Sequence, residues 1–179
     1  MNTYTDSNGN TYIKGVRMNE FTRKPVEPSQ KCYDLIKHYE GCKLKAYRCA
    51  AGILTIGYGN TYYPDGRRVK EGDVITKEQA AEYLPLILKT YAISVHDKVR
   101  VGINQNQFDA LCSFAYNVGI GAFDKSTLLQ VVNRERPFDE IEIQFMRWNK
   151  ANAKVLKGLT ARRKSEFHLF KTGEVKFFN

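Results

Sequence analysis

Residues 38–61 read HYEGCKLKAYRCAAGILTIGYGNT, and the way this stretch changes character decides the fold. Its first three residues close an apolar-periodic segment in which Cys32, Leu35, Ile36 and Tyr39 recur at spacings of three, four and seven. That is one face of a helix, with Ser29 placed to cap its start and Gly41 to stop it. Beyond Gly41 the period changes from helix to strand. Short β-type runs, Leu44–Tyr47 and Ile53–Tyr58, are broken by Gly52, Gly59 and the turn PDGR at 64–67.

Outward from this stretch the chain returns to helix. TKEQ at 76–79 is a capping box, opening an apolar-periodic segment to about Val99 that Pro85 is expected to interrupt. NQNQ at 104–107 opens a second, which runs through Phe108, Leu111, Cys112 and Ala115 to Gly119. Further helical patterns fall at 126–133, 138–148 and 159–171, with Gly173 ending the last. Residues 1–28 are polar, rich in Asn and Thr, and closed by Pro25 and Pro28; they read as an extension rather than core. The pattern predicts an α+β fold. A small β lobe, residues 43–75, is inserted after the first helix of a mainly helical lobe (29–42 and 76–173), within a domain spanning 29–175. A cleft between two such lobes suits a polymer substrate.

Composition narrows the function. At 179 residues the chain suits one domain, and 42% hydrophobic with 26% charged residues is ordinary for a globular protein. No run approaches the length of a membrane span, and the first twenty residues contain no apolar signal core. The four cysteines lack paired CxxC spacing, and only His38 lies near Cys32, Cys42 and Cys49, so neither a disulfide framework nor a zinc site is expected. The net charge of +9 favours polyanionic partners: nucleic acid, an anionic membrane surface or an anionic cell wall.

The chemistry centres on Glu40. A carboxyl in the last turn of a helix faces the negative end of the helix dipole, and burial against the β lobe disfavours its charge further. A carboxylic acid that keeps its proton is what a glycosidase uses to protonate a leaving oxygen.

The spacing Glu40, eight residues, Cys49, five residues, Thr55, followed by IGYGNT, resembles the phage-type lysozymes, glycoside hydrolase family 24. The resemblance extends through VKEGDVITKEQAAEYL (69–84), QNQFDALCSFAYNVGIGAFDKSTLL (105–129) and RWNKANAKVLKGLTARRKSEFHLF (147–170). It implies a lysozyme-like fold with a saccharide cleft, and hydrolysis of the β-1,4 bond between N-acetylmuramic acid and N-acetylglucosamine in peptidoglycan. It also implies a role for Glu40 as general acid, for Cys49 as its partner, and for Thr55 as a holder of the attacking water. Gly59, Asn60, Tyr116, Ser126 and Arg162 match substrate-groove positions. Asn60 stands where the family usually has His, so any histidine-based ion pair is absent here. Ser126 also reads as a helix N-cap, Tyr116 as a core tyrosine, and Arg162 as one cation of the run ARRK.

If the second group holds water on the ring face opposite Glu40, the reaction inverts and the two groups stand about 6.5–9.5 Å apart. A thiol with an ordinary pKa of about 8.5 is mostly protonated at neutral pH. Arg48 next door, or Arg162 folded over the site, could lower it. No cofactor or metal is expected. The expected enzyme is monomeric, is made in the host cytoplasm and is released to the wall by a holin, without nucleic-acid partners. Two alternatives stand beside it. One is a lytic transglycosylase that needs only the acid; the other is a basic module that binds wall or nucleic acid.

Overall fold

The computed structural model describes the backbone of residues 3–5, 11–13 and 16–18, and backbone with side chains of residues 25, 27–49, 52–151 and 153–179. Strands β1 (Thr3–Thr5), β2 (Thr11–Ile13) and β3 (Val16–Met18) form an antiparallel meander in sequence order. The polar composition of this segment concealed these strands. Their local signals are the Asn8-Gly9 pair between the first two and Lys14-Gly15 between the second two.

Helix α1 (Gln30–Glu40) starts and stops at the expected residues. The Ser29 hydroxyl accepts from Lys31 N–H, and Gly41 adopts φ 63° while its N–H reaches the Lys37 carbonyl. A buried carboxylate ties this helix start to the core. Asp109, fully buried, accepts from Ser29 N–H at 2.8 Å, from the Ser29 hydroxyl, and from Gln105 Nε2 at 2.9 Å.

Strands β4 (Lys43–Arg48) and β5 (Leu54–Gly57) pair antiparallel, with Tyr47 opposite Thr55 and a register irregularity between Lys43 and Tyr47. Residues 73–75 extend this sheet through Ala46 N–H to Asp73 O and Ile75 N–H to Leu44 O, both 2.8 Å. The PDGR turn closes as expected, with Tyr63 N–H donating to Arg67 O at 2.8 Å. Ile56, Tyr63, Val69, Ile75 and Ala80 make a small hydrophobic cluster of their own beneath this sheet.

Helix α2 (Lys77–Lys98) carries the full capping box at Thr76 and Gln79. It also runs unbroken through Pro85, against the expected interruption. Proline removes one backbone hydrogen bond. Leu84, Leu88, Ala92 and Val95 are nevertheless buried at helical spacing on both sides of it, and that packing outweighs the loss. Helix α3 (Gln105–Val118) is capped by Asn104 and buried without a break from Phe108 to Tyr116. It is therefore the central helix around which the others pack. A short α4 (Ile120–Asp124) and α5 (Thr127–Asn133) follow, then α6 (Phe138–Met146), which ends two residues before the expected boundary. A two-residue hairpin, β6 (Lys150–Ala151) and β7 (Lys154–Val155), precedes α7 (Lys157–Thr172), which Gly173 closes in the left-handed conformation. Neither the hairpin nor α4 was legible, being too short to show a period.

The large core gathers α1, α2, α3, α5, α6 and α7. Phe114 lies at its centre, with the rings of Phe123, Phe145 and Trp148 edge-on at 5.5–6.4 Å. After Gly173 the chain turns back over the end of α1. Phe177 stacks on His38 with ring centroids 4.1 Å apart, and Tyr39 donates its hydroxyl proton among Ser165, Ala161 O and Phe178 O at 2.6–3.2 Å.

Asp109 should be the polar keystone of the α1–α3 contact. Replacing it with Ala strands the Ser29 and Gln105 donors, which should lower unfolding free energy by about 1–3 kcal/mol. Urea denaturation checks this: the midpoint falls while the slope stays the same. An unchanged midpoint would show that the anchor carries no stability.

Candidate active site

Glu40 is the last residue of α1, with its side chain 21% exposed. Its two carboxylate oxygens have different surroundings. Oε1 accepts from Arg162 Nη1 at 2.5 Å. Oε2 lies over Gly59, where a Cβ would approach it to 3.2 Å. Gly59 also has φ 93°, so both backbone and space require glycine there. One oxygen is therefore fixed by a cation, and the other is left against the β lobe. Burial against the β lobe and a basic residue near the acid were both expected, and Arg162 is the direct ion partner of Glu40.

Arg162 is 2% exposed, and each of its three guanidinium nitrogens has an acceptor. Besides Glu40 it meets Glu166 Oε1 through Nε at 3.1 Å and Ser113 O through Nη2 at 3.3 Å. Burial alone would lower its pKa, but the charges of Glu166 and Glu40 outweigh burial and raise it. Glu166, Arg163, Ser113 and Asn117 were not singled out from the sequence. Arg163 is fully buried over the Phe114 ring, and burial pushes its guanidinium down to about 10 against the pull of Glu166. The available signal was the i, i+3 and i, i+4 spacing of Arg163 and Arg162 to Glu166 within ARRKSE, which reads equally well as a solvated face.

Cys49 and Thr55 are set by one carbonyl. Ile53 O accepts from Cys49 N–H at 2.9 Å and from the Thr55 hydroxyl at 3.0 Å, which brings both residues to the same end of the β4–β5 ladder. Thr55 is buried and spends its proton on that bond, so its lone pairs are what it can offer a water. Tyr47 stands opposite Thr55, with its phenol raised by burial, then by Glu40, then by Cys49. The two arginines expected to act on the thiol have other engagements. Arg48 bonds Gly52 O at 3.1 Å and Glu71 at 3.3 Å, and Arg162 is committed as described.

Asn60 and Tyr116 join the β lobe to α3. The Tyr116 hydroxyl has one proton and two acceptors, Tyr58 O at 2.7 Å and Asn60 Oδ1 at 2.9 Å, while Asn60 Nδ2 is buried without a partner. Turning the Asn60 amide over makes a continuous chain from Nδ2 through Tyr116 to the Tyr58 carbonyl and satisfies the orphaned donor. Burial first, then Glu40, pushes the Tyr116 phenol far above its ordinary range. A pocket of about 100 Å³ opens here between Gly59, Asn60, Tyr91 and Tyr116. It shares Thr61 and Tyr62 with a larger one of about 460 Å³ that includes Arg48, Ile53 and Arg68. The two adjoin through these shared residues, and Gly59, against which Glu40 Oε2 lies, lines the smaller one.

Ser126 lies elsewhere in function. It is buried, donates to Phe123 O at 2.7 Å and accepts from Leu129 N–H at 3.1 Å, so its hydroxyl serves as the α5 cap. Phe123 and Trp148 pack in the core.

Known proteins share this arrangement of elements. The phage lysozyme family model matches residues 37–166. The endolysin of Acyrthosiphon pisum secondary endosymbiont phage 1 is 41% identical over 148 residues, which cover 80% of this chain and 97% of that protein. Among solved structures, the endolysin from Escherichia coli O157:H7 phage FAHEc1 superposes with a TM-score of 0.77 at 35% identity, covering 86% of this chain and 99% of that one. The muramidase domain of SpmX from Asticaccaulis excentricus gives 0.73 at 36% identity, covering 84% and 99%. A family match over most of the chain, joined to a relative of this similarity, leads to one conclusion: the chain belongs to the phage lysozyme family.

Proposed function

We propose that this lysozyme cleaves the β-1,4 bond between N-acetylmuramic acid and N-acetylglucosamine in peptidoglycan by an inverting mechanism, with Glu40 as general acid and Cys49 with Thr55 at the attacking water. The observation that carries this reading is the asymmetric carboxyl of Glu40, with Oε1 on Arg162 and Oε2 over Gly59 at the groove. The oxygen facing the groove is the one that would carry the proton. Transfer to the glycosidic oxygen breaks the C1–O bond as oxocarbenium character develops on the sugar. Water on the opposite face then attacks C1. It donates one hydrogen bond to Thr55 and gives its other proton to the thiolate form of Cys49; Cys49 then releases that proton to solvent and Glu40 takes one up, which restores both groups to their starting state. Tyr62, 44% exposed, and the ring of Tyr91 supply flat apolar surface to pyranose faces.

A lytic transglycosylase, or a basic wall- or nucleic-acid-binding module, is not favoured: the relatives are endolysins and muramidases. Among the described residues no helix is long and apolar enough to cross a membrane. In this reading the enzyme acts as a monomer that gathers on the cytoplasmic side and reaches the wall when a holin opens the membrane.

Three outcomes test the mechanism. Glu40→Gln retains an acceptor for Arg162 and the residue's shape but cannot donate a proton, so reducing-end release from peptidoglycan should fall by about 10²–10⁴-fold or more. Activity near wild type would remove Glu40 from the role.

Cys49→Asp should keep activity within about tenfold, since a carboxylate can hold and deprotonate the same water. Cys49→Ala should lose most of it with little change in melting temperature, and Cys42→Ala should affect neither property. Equal activity of all three variants would exclude the thiol from the chemistry.

Wall lysis should weaken with added salt, because attraction between a +9 protein and an anionic wall is screened over a Debye length of about 8 Å near physiological ionic strength. Cleavage of a short neutral chitooligosaccharide, where measurable, should barely respond. Parallel salt curves for the two substrates would place the effect in the catalytic site itself.

A further inference from the structure

The support of the acid does not end at Arg162. Behind it, Glu166 is fully buried, and its Oε1 accepts from Arg162 Nε at 3.1 Å, Ser113 Oγ at 2.8 Å and Arg163 Nη2 at 3.0 Å. Its Oε2 stands 2.9 Å from Arg163 Nε. Arg163 is held in turn by Asn117 Oδ1 at 3.0 Å. Two guanidiniums and two carboxylates are therefore linked in sequence, and only Glu40 at one end reaches the groove.

We propose that Glu166 is a positioning residue for Glu40: it locks the Arg162 fork in the orientation that meets one oxygen of the acid, and its charge balances those of the two arginines behind the acid. The inference rests on Glu40 being the general acid. A guanidinium fork has fixed geometry, so fastening Nε and Nη2 to Glu166 and Ser113 dictates where Nη1 points. Arg162 and Arg163 on α7 both couple electrostatically to Glu40, and the uncharged phenols of Tyr47, Tyr91 and Tyr116 face it from β4, α2 and α3. Among the described residues the buried Cys32 thiol also registers the charge of Glu166. With the Glu166 charge removed, two cations would be balanced by Glu40 alone. The ionised acid would then be favoured, and the proton needed for catalysis would be lost at lower pH.

The test is the pH dependence of kcat/KM for reducing-end release from soluble peptidoglycan fragments at fixed ionic strength, which reports the free enzyme. Glu166→Gln keeps an acceptor for Arg162 Nε and Ser113 but removes the charge. Its alkaline limb should move to lower pH by roughly one unit, as expected for a unit charge lost two links away in a poorly solvated site. Arg163→Gln should move the limb the opposite way, and the charge-balanced double variant R163Q/E166Q should return it towards wild type. A structural role would lower activity evenly across the pH range and would not be reversed by a second substitution. A folded E166Q whose limb does not move, or a double variant displaced as far as E166Q, overturns the proposal. If E166Q does not fold, R163Q against the double variant still decides the sign: the same limb in both overturns it. If the wild-type enzyme releases no reducing ends from these fragments, the hydrolase reading itself fails, a result distinct from any of these.

Discussion

A guanidinium taken out of water loses several kcal/mol of hydration, and only anions placed within hydrogen-bond distance can offset that loss. Arg162 meets this constraint with one carboxylate from its own helix and one from the far end of α1. Seating α7 on α1 and α3 therefore brings Arg162 to Glu40, which stands at the end of its helix because Gly41 stops the helix there. The same contact serves two ends. It completes the electrostatics of the core, and it gives the functional carboxyl a fixed oxygen and a free one. Gly59 then has to be glycine because the free oxygen occupies the space a side chain would need.

Much of this was legible in the chain. Helix starts were written in Ser29, Thr76 and Asn104, and the stops of α1, α3 and α7 in Gly41, Gly119 and Gly173, because caps act over three or four residues and leave a local signature. Pro85 misled, since its local effect is outweighed by burial of residues a turn away on either side, which local sequence does not encode. Glu40 could be singled out by its place at a helix end beside a change of period. Its counterion, 122 residues away, could be reached only through the family resemblance, with one cation of the run ARRK as the competing reading. Glu166 and Arg163 were harder still. Charged residues at i, i+3 and i, i+4 normally mark a solvated face, and here that face is turned into the core.

The groove shows how a departure from a family pattern is absorbed. Asn60 replaces the usual histidine, and with it goes a group able to carry charge near neutral pH. What remains is a neutral amide joined to the Tyr116 hydroxyl, spanning from the β lobe to α3. A neutral link of this kind does not change strength as pH passes through the histidine range. The coupling between lobes should accordingly depend on packing and hydrogen bonding more than on protonation.

The separation of Glu40 from Arg162 along the chain also bears on timing. Domains are assembled from the N-terminus as synthesis proceeds. A nascent chain carries its acid, its β lobe and most of its core well before the arginine that sets the acid has been made. Any product that ends short of α7 has Glu40 without its partner and Phe114 without the cation that covers it. Helix α7 thus supplies, later in synthesis than α1 and the β lobe, the contact that completes the surroundings of Glu40.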